Sequence, residues 1–438
     1  MDTPAVRSAT WFGQPRGLTV LFLTEMWEKF SFFGMRAMLV YYMTKQLLIG
    51  QQQASLTYGL YTGFVYFTPI IGGVIADRWL GRKRAVVIGA AIMALGHFMM
   101  AFEPLFYGAL GAIAVGNGLF LPSLPSQVGD LYPPGDPRRG SAYNVYYVGV
   151  NLGAVLAVLV CGTVGETYGW HYGFALAGVG MVTGLVIYLA GGRYLPPEPV
   201  QRVEAGPGAP AAAGFGRTML MLACVAGAVV IFRSAYEQMG NTLALWADQG
   251  VDRTIAAGLS IPMTWFQMFN PLLVFLLTPF LVAHWTRLAR KGRETSPLLK
   301  MAIGAAGVAA AYLMLAAVAA TAEGEGARAS WLWLAAFFVI YTAGELYILP
   351  TGLGLFARLA PARLGATTIA AWFLASFAGN LLAGVLGSLW SQTGPARFFA
   401  LMAAVSGVAG VLLLLVHRRA KGLTAEAPDP RVLAETLH

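Results

Sequence analysis

PPEPVQRVEAGPGAPAAAGFGR, residues 196–217, decides how the chain on either side of it is read. It is rich in Pro, Gly and Ala and nearly devoid of large apolar side chains, so it cannot bury a core and is expected to be a flexible linker. It falls near the middle of 438 residues, and its flanks are of another kind. Before it, apolar runs lie near 18–44, 54–76, 84–102, 105–131, 141–163 and 170–192. After it they lie near 217–247, 255–284, 298–321, 330–358, 363–390 and 394–416. Crossing about 30 Å of hydrocarbon takes roughly 20 residues at about 1.5 Å each, which every run supplies. The expected organisation is an all-α membrane protein of twelve transmembrane helices, with a six-helix half over 1–195, a linker over 196–216, a second half over 217–420 and a tail over 421–438.

Composition agrees, since 57% of the residues are hydrophobic and only 11% charged, far from the balance of a soluble domain. Short loops rich in Lys and Arg stay on the cytoplasmic side. With both termini inside, cytoplasmic tails and loops hold 22 of the 29 cations, and the outer loops hold only Lys45, Arg253, Arg328 and Arg397. The net charge of +9 is thus a topology signal and gives no reason to invoke nucleic acid. Cys161 and Cys224 fall inside expected helices and read as packing residues. The start of the chain lacks a cleavable signal pattern, so the first helix is expected to remain attached. Glycine runs inside the spans have no preceding strand, which argues against a nucleotide loop, and no metal-spaced cluster or catalytic constellation is apparent. No cofactor is expected, and the chain is not read as an enzyme.

Seven charges fall at membrane depth: Glu25, Glu28, Lys29, Arg36, Arg233, Glu237 and Glu345. Each costs about 2.5 to 3.5 kcal/mol near mid-bilayer, so seven unpaired would cost on the order of 20 kcal/mol, more than a typical fold stability. They must pair, be neutralised or face water. Glu25, Glu28 or Lys29, and Arg36 recur at helical spacing on one stripe, and Arg233 and Glu237 stand four apart. Such stripes point into a wet cavity.

Two six-helix halves joined on the cytoplasmic side are the plan of the major facilitator fold. GGVIADRWLGRKR (72–84) looks like that superfamily's loop signature, with Asp77, Arg78 and Arg82 as its latch residues. More specifically, Glu25-Met-Trp-Glu28-Lys29-Phe30 followed by Phe33-Gly34-Met35-Arg36 resembles the first-helix motif of the proton-dependent oligopeptide transporters. YYVGVNLG (146–153), AYEQMGN (235–241), FQMFNP (266–271), GELYILPTGLGLFARLAP (344–361) and AAWFLASFAGN (370–380) carry the resemblance through most of the helices. It implies proton-coupled symport of di- or tripeptides, with Glu25, Glu28, Lys29 and Glu237 in proton coupling. Arg36 would hold the peptide carboxylate and Glu345 the amino terminus, with Phe33, Tyr66, Asn151, Asn270, Trp372 and Ser376 lining the pocket. The implied setting is a monomer in the inner membrane whose partners are a small peptide, protons and lipid.

Two departures stand out. The family pattern has a lysine before the helix-4 proline, where this chain reads Gly118-Leu119-Phe120-Leu121-Pro122. It also has a tryptophan one turn before the helix-7 glutamate, where this chain has Arg233. Arg233 is expected to replace the lost lysine by pairing with Glu237 and presenting its planar fork to a substrate carboxylate. The alternative is a relative that takes another small zwitterion or anion with altered proton coupling; a non-transporting sensor is a further reading.

Overall fold

The computed structural model of the chain describes residues 10–11, 13–133, 136–197, 215–256, 258–359 and 365–419. Most of the expected linker, 198–214, and the whole expected tail, 421–438, lie outside the described residues. The long helices are α1 (Arg16–Tyr41), α2 (Gln51–Leu80), α3 (Arg82–Met99), α4 (Phe106–Asp130), α5 (Arg138–Tyr168) and α6 (Trp170–Ala190). After the expected linker come α7 (Gly216–Gln249), α8 (Met263–Arg290), α9 (Pro297–Glu325), α10 (Trp331–Leu359), α11 (Thr367–Thr393) and α12 (Pro395–Arg419). Ten of these are long and apolar enough to cross a membrane. The other two, α1 and α3, fall short only through their charges: Glu25, Glu28, Lys29 and Arg36 on α1, and Arg82, Lys83 and Arg84 on α3.

The helix expected near 255–284 begins only at Met263. Thr254–Ala256 instead pairs antiparallel with Leu259–Ser260, a turn that Gly258 permits by taking φ +83°. α9 shows how local chemistry sets an end: the Ser296 hydroxyl accepts from the Leu299 N–H, Pro297 follows at the first helical position, and left-handed Gly326 closes the C-terminus.

The described residues form two compact units. One holds residues up to 197 together with 239–275, the other 215–238 together with 276–419. In the first, α1 packs on α5 and α6, and α3 on α4 and α6. In the second, α7 packs on α11 and α12, and α9 on α10 and α12. Each pair in the second unit is its counterpart in the first moved on by six helices. The contacts match in detail. A Cβ on Gly89 of α3 would lie 2.6 Å from the Gly116 carbonyl oxygen of α4, and one on Gly304 of α9 would lie 2.5 Å from the Gly344 carbonyl oxygen of α10. Only glycine allows backbones to approach so closely. Cys161 is buried against Gly34, as a packing residue should be, whereas Cys224 is exposed on the surface of α7.

The chain therefore changes unit partway along α7 and again along α8. The segment 239–275 is bound into the first unit by many polar contacts. The Tyr41 hydroxyl donates to the Ala244 carbonyl oxygen at 2.8 Å, and Gln267 donates to that of Ala37 at 2.9 Å. Ser55 meets Asn241 at 2.8 Å, and Lys45 pairs with Asp248 at 2.7 Å. Glu166 at the end of α5 accepts the Met263 and Thr264 N–H groups at 3.0 and 2.8 Å and the Thr264 hydroxyl at 2.5 Å. It thereby satisfies donors at the start of α8 that have no helical partner. Replacing Glu166 by Ala strands these donors and is expected to cost about 1 to 3 kcal/mol. A thermal melt of the purified protein should show a clear drop for Glu166→Ala and a smaller one for Glu166→Gln.

Candidate functional site

The charges of α1 are paired where they stand. Glu25 and Glu28 are 2% and 1% exposed, and Lys29 lies between them, 3.3 Å from Glu25 Oε1 and 2.6 Å from Glu28 Oε2. One ammonium serves two carboxylates, which leaves this triad one negative charge in excess. Glu25 Oε2 and Glu28 Oε1 meet no hydrogen-bond donor among the described residues. Tyr146 of α5 is buried beside Glu25. Two turns along the same stripe, Arg36 is buried and donates through Nε to the Tyr58 hydroxyl of α2 at 2.8 Å, its guanidinium 5.8 Å from the centre of that ring. Phe33 packs edge-on against Phe32 and is half-buried, as is Tyr66. Asn151 and Asn270 are buried in the same unit, and the Asn151 amide donates back to the Tyr147 carbonyl oxygen at 3.0 Å. Leu121, where the family pattern has its lysine, is half-buried on α4.

At the end of α2, Arg82 bonds Asp130 of α4 at 2.9 Å and reaches toward Asp77 at 3.9 Å, while Arg78 is exposed. The turn between α2 and α3 needs Gly81, whose φ is +77°.

The second unit holds its own cluster. Arg233 Nη2 bonds Glu237 Oε1 at 2.6 Å with both side chains almost fully buried. The guanidinium stands 5.9 Å from the centre of the Tyr236 ring, which stacks on Tyr341 at 5.2 Å between centres and 6° between planes. The Tyr236 hydroxyl lies against the half-buried carboxylate of Glu345. Tyr341 in turn donates to the Tyr236 carbonyl oxygen, and Tyr312 donates to that of Ala235 at 2.8 Å. Arg233, Glu237 and Glu345 are thus gathered round one aromatic pair, the ring face supplying the electrostatics a cation favours. α11 comes so close that a Cβ on Gly379 would lie 2.6 Å from that of Arg233. On the same helix Trp372 packs edge-on against Phe356 at 5.4 Å, and buried Ser376 donates to the Trp372 carbonyl oxygen at 3.0 Å.

Sequence reasoning named the charges but gave no role to the groups that hold them, Tyr58, Tyr146, Tyr236 and Tyr341, nor to Glu166, which accepts from the start of α8. A usable signal existed for the tyrosines, because a phenol inside an apolar span must find a polar partner, and membrane-depth charges are the partners available.

The POT family model matches residues 83–202 and 216–399. A peptide transporter of Yersinia enterocolitica is 32% identical, over 88% of this chain and 89% of that one. A di-/tripeptide transporter of Lactococcus lactis is 30% identical, over 93% and 96%. A solved structure, a peptide transporter POT in complex with sulfate, superposes with a TM-score of 0.87 at 30% identity, covering 95% of this chain and 97% of that one. The helices and their buried charges belong to a multi-pass membrane transporter of the major facilitator fold. This chain is a member of the POT family.

Breaking a buried ion pair from one side leaves an uncompensated charge and costs about 3 to 5 kcal/mol, whereas removing both charges is far milder. Arg233→Ala is therefore expected to lower the melting temperature sharply and the double variant Arg233→Ala, Glu237→Gln to recover most of the loss, which a thermal unfolding series reads directly.

Proposed function

We propose that this chain carries di- or tripeptides into the cytoplasm together with protons, by alternating access. The observation that carries the reading is the α1 triad, in which Lys29 contacts two buried carboxylates and leaves a net negative charge. A buried site tolerates an unbalanced charge poorly, and a proton on Glu25 or Glu28 removes it. Arg36 takes the peptide carboxylate. When it does, its charge is neutralised by the substrate and the triad's excess must be met by a proton, which ties binding of the one to binding of the other. Glu345 takes the peptide's amino group. Glu237, already paired to Arg233 at 2.6 Å, serves as that arginine's anchor, and proton traffic falls to Glu25 and Glu28. Phe33, Tyr66, Asn151, Asn270, Trp372 and Ser376 complete the pocket lining.

The arginine-rich ends of the helices face the cytoplasm, both termini included, and the protein works as a monomer in the inner membrane. Asp77, Arg78 and Arg82 latch that side. One proton crossing about 100 mV releases roughly 2.3 kcal/mol, enough for about fifty-fold accumulation of a neutral solute.

A second reading shares this machinery but changes the cargo. Leu121 in place of a lysine and Arg233 in place of a tryptophan move a cation from α4 to α7, a change that favours another small zwitterion or anion. Counter-flow of labelled dipeptides in proteoliposomes decides between the two: exchange supports peptides, and its absence alongside exchange of an amino-acid-like zwitterion supports the second.

For coupling, uptake by the wild-type chain should rise as the outside is acidified and vanish when the gradient is collapsed. Glu28→Gln should abolish gradient-driven uptake while leaving counter-flow measurable. Concentrative uptake that survives gradient collapse would defeat the proposal.

A further inference from the structure

Within the second unit, α7 and α12 pack on each other yet leave a groove of about 550 Å³ between them. Arg217, Cys224 and Ile231 mark its course on α7, and Leu412, Leu415 and Arg419 on α12. On α7 it runs fourteen residues, about 21 Å at 1.5 Å per residue, whereas one leaflet's hydrocarbon is about 15 Å deep. The lining is apolar except at one end, where both arginines stand. They are exposed, and among the described residues neither has a carboxylate partner. The floor is open too: a Cβ added at Gly227 would meet nothing within 4 Å.

The equivalent seam of the first unit, α1 on α6, is closed by the chain's own side chains. Trp27 and Phe30 seat against Gly184 and Gly180. The seam of α7 with α12 instead has an open groove with two cations at its mouth.

The geometry points to a binding site for one anionic phospholipid of the leaflet on the arginine side. Its phosphate sits between Arg217 and Arg419, whose planar forks suit a phosphodiester, and an acyl chain lies along α7 past Cys224 toward Ile231. Basic residues at the cytoplasmic face attract anionic headgroups, and a basic mouth on an apolar groove holds both parts of such a lipid. The leaflet assignment rests on the orientation proposed above; the binding itself does not. A chain that transports peptides but retains no lipid, or retains lipid but transports none, separates the two.

Native mass spectrometry of the purified full chain, titrated with phosphatidylglycerol or with phosphatidylcholine of the same acyl chains, tests it. One phosphatidylglycerol should be retained per chain at about tenfold lower concentration than phosphatidylcholine, the factor that loss of one charged contact corresponds to. The double variant Arg217→Gln, Arg419→Gln should erase the preference. Gly227→Phe keeps both arginines, fills the floor where there is room for it, and should weaken retention about tenfold. Unchanged melting of each variant in lipid-free detergent establishes that it is folded; should the double variant not fold, Arg419→Gln and Gly227→Phe carry the test. Equal retention of the two lipids, phosphatidylglycerol binding indifferent to these substitutions, or displacement of the phospholipid by oleate would each overturn the assignment.

Discussion

One ammonium group shared by two carboxylates is the constraint from which the rest of the first unit follows. Lys29 cannot leave Glu25 and Glu28 without stranding two acids at membrane depth, and neither acid can move off α1 without stranding the lysine. α1 is consequently the most charged of the long helices at its centre and one of two that fail a simple apolarity test. Its neighbours compensate: α5 and α6 pack closely around it, with Tyr146 beside Glu25 and glycines of α6 admitting Trp27 and Phe30. A charged helix is kept in the bundle by being covered on almost every side.

The second unit solves the same problem differently. Arg233 and Glu237 neutralise one another one turn apart on a single helix, and the stacked rings of Tyr236 and Tyr341 extend the cluster to Glu345. Counted with Glu345, that cluster has one cation and two acids, as the α1 triad does, and α1 carries a second cation in Arg36.

How much of this was legible in the sequence follows from the physics of each feature. Hydrocarbon thickness and the backbone's need for internal hydrogen bonds act on every span, so ten helices appear wherever apolar runs of that length occur. α1 was readable despite its charges because apolar residues flank them on both sides, and α3 because its three charges all fall in its first turn, ahead of an apolar run. The Arg233 to Glu237 pair was legible because helical spacing puts residues four apart on one face. The exchange of units within α7 and α8 was not, since it depends on contacts far apart in the chain, such as Glu166 with Met263 and Thr264 or Tyr41 with Ala244. The late start of α8 was hidden likewise: 254–260 is apolar enough to read as helix, and only the turn at Gly258 makes it a hairpin.

The neighbours repeated six helices apart have a further meaning. Four helix pairs and one glycine-to-glycine crossing recur in both halves, the internal structural repeat on which major facilitator folds are built. The crossing of α3 with α4, and of α9 with α10, leaves no room for anything but glycine in either half. The seam of α7 with α12 leaves a groove, whereas that of α1 with α6 is filled by Trp27 and Phe30 against Gly184 and Gly180.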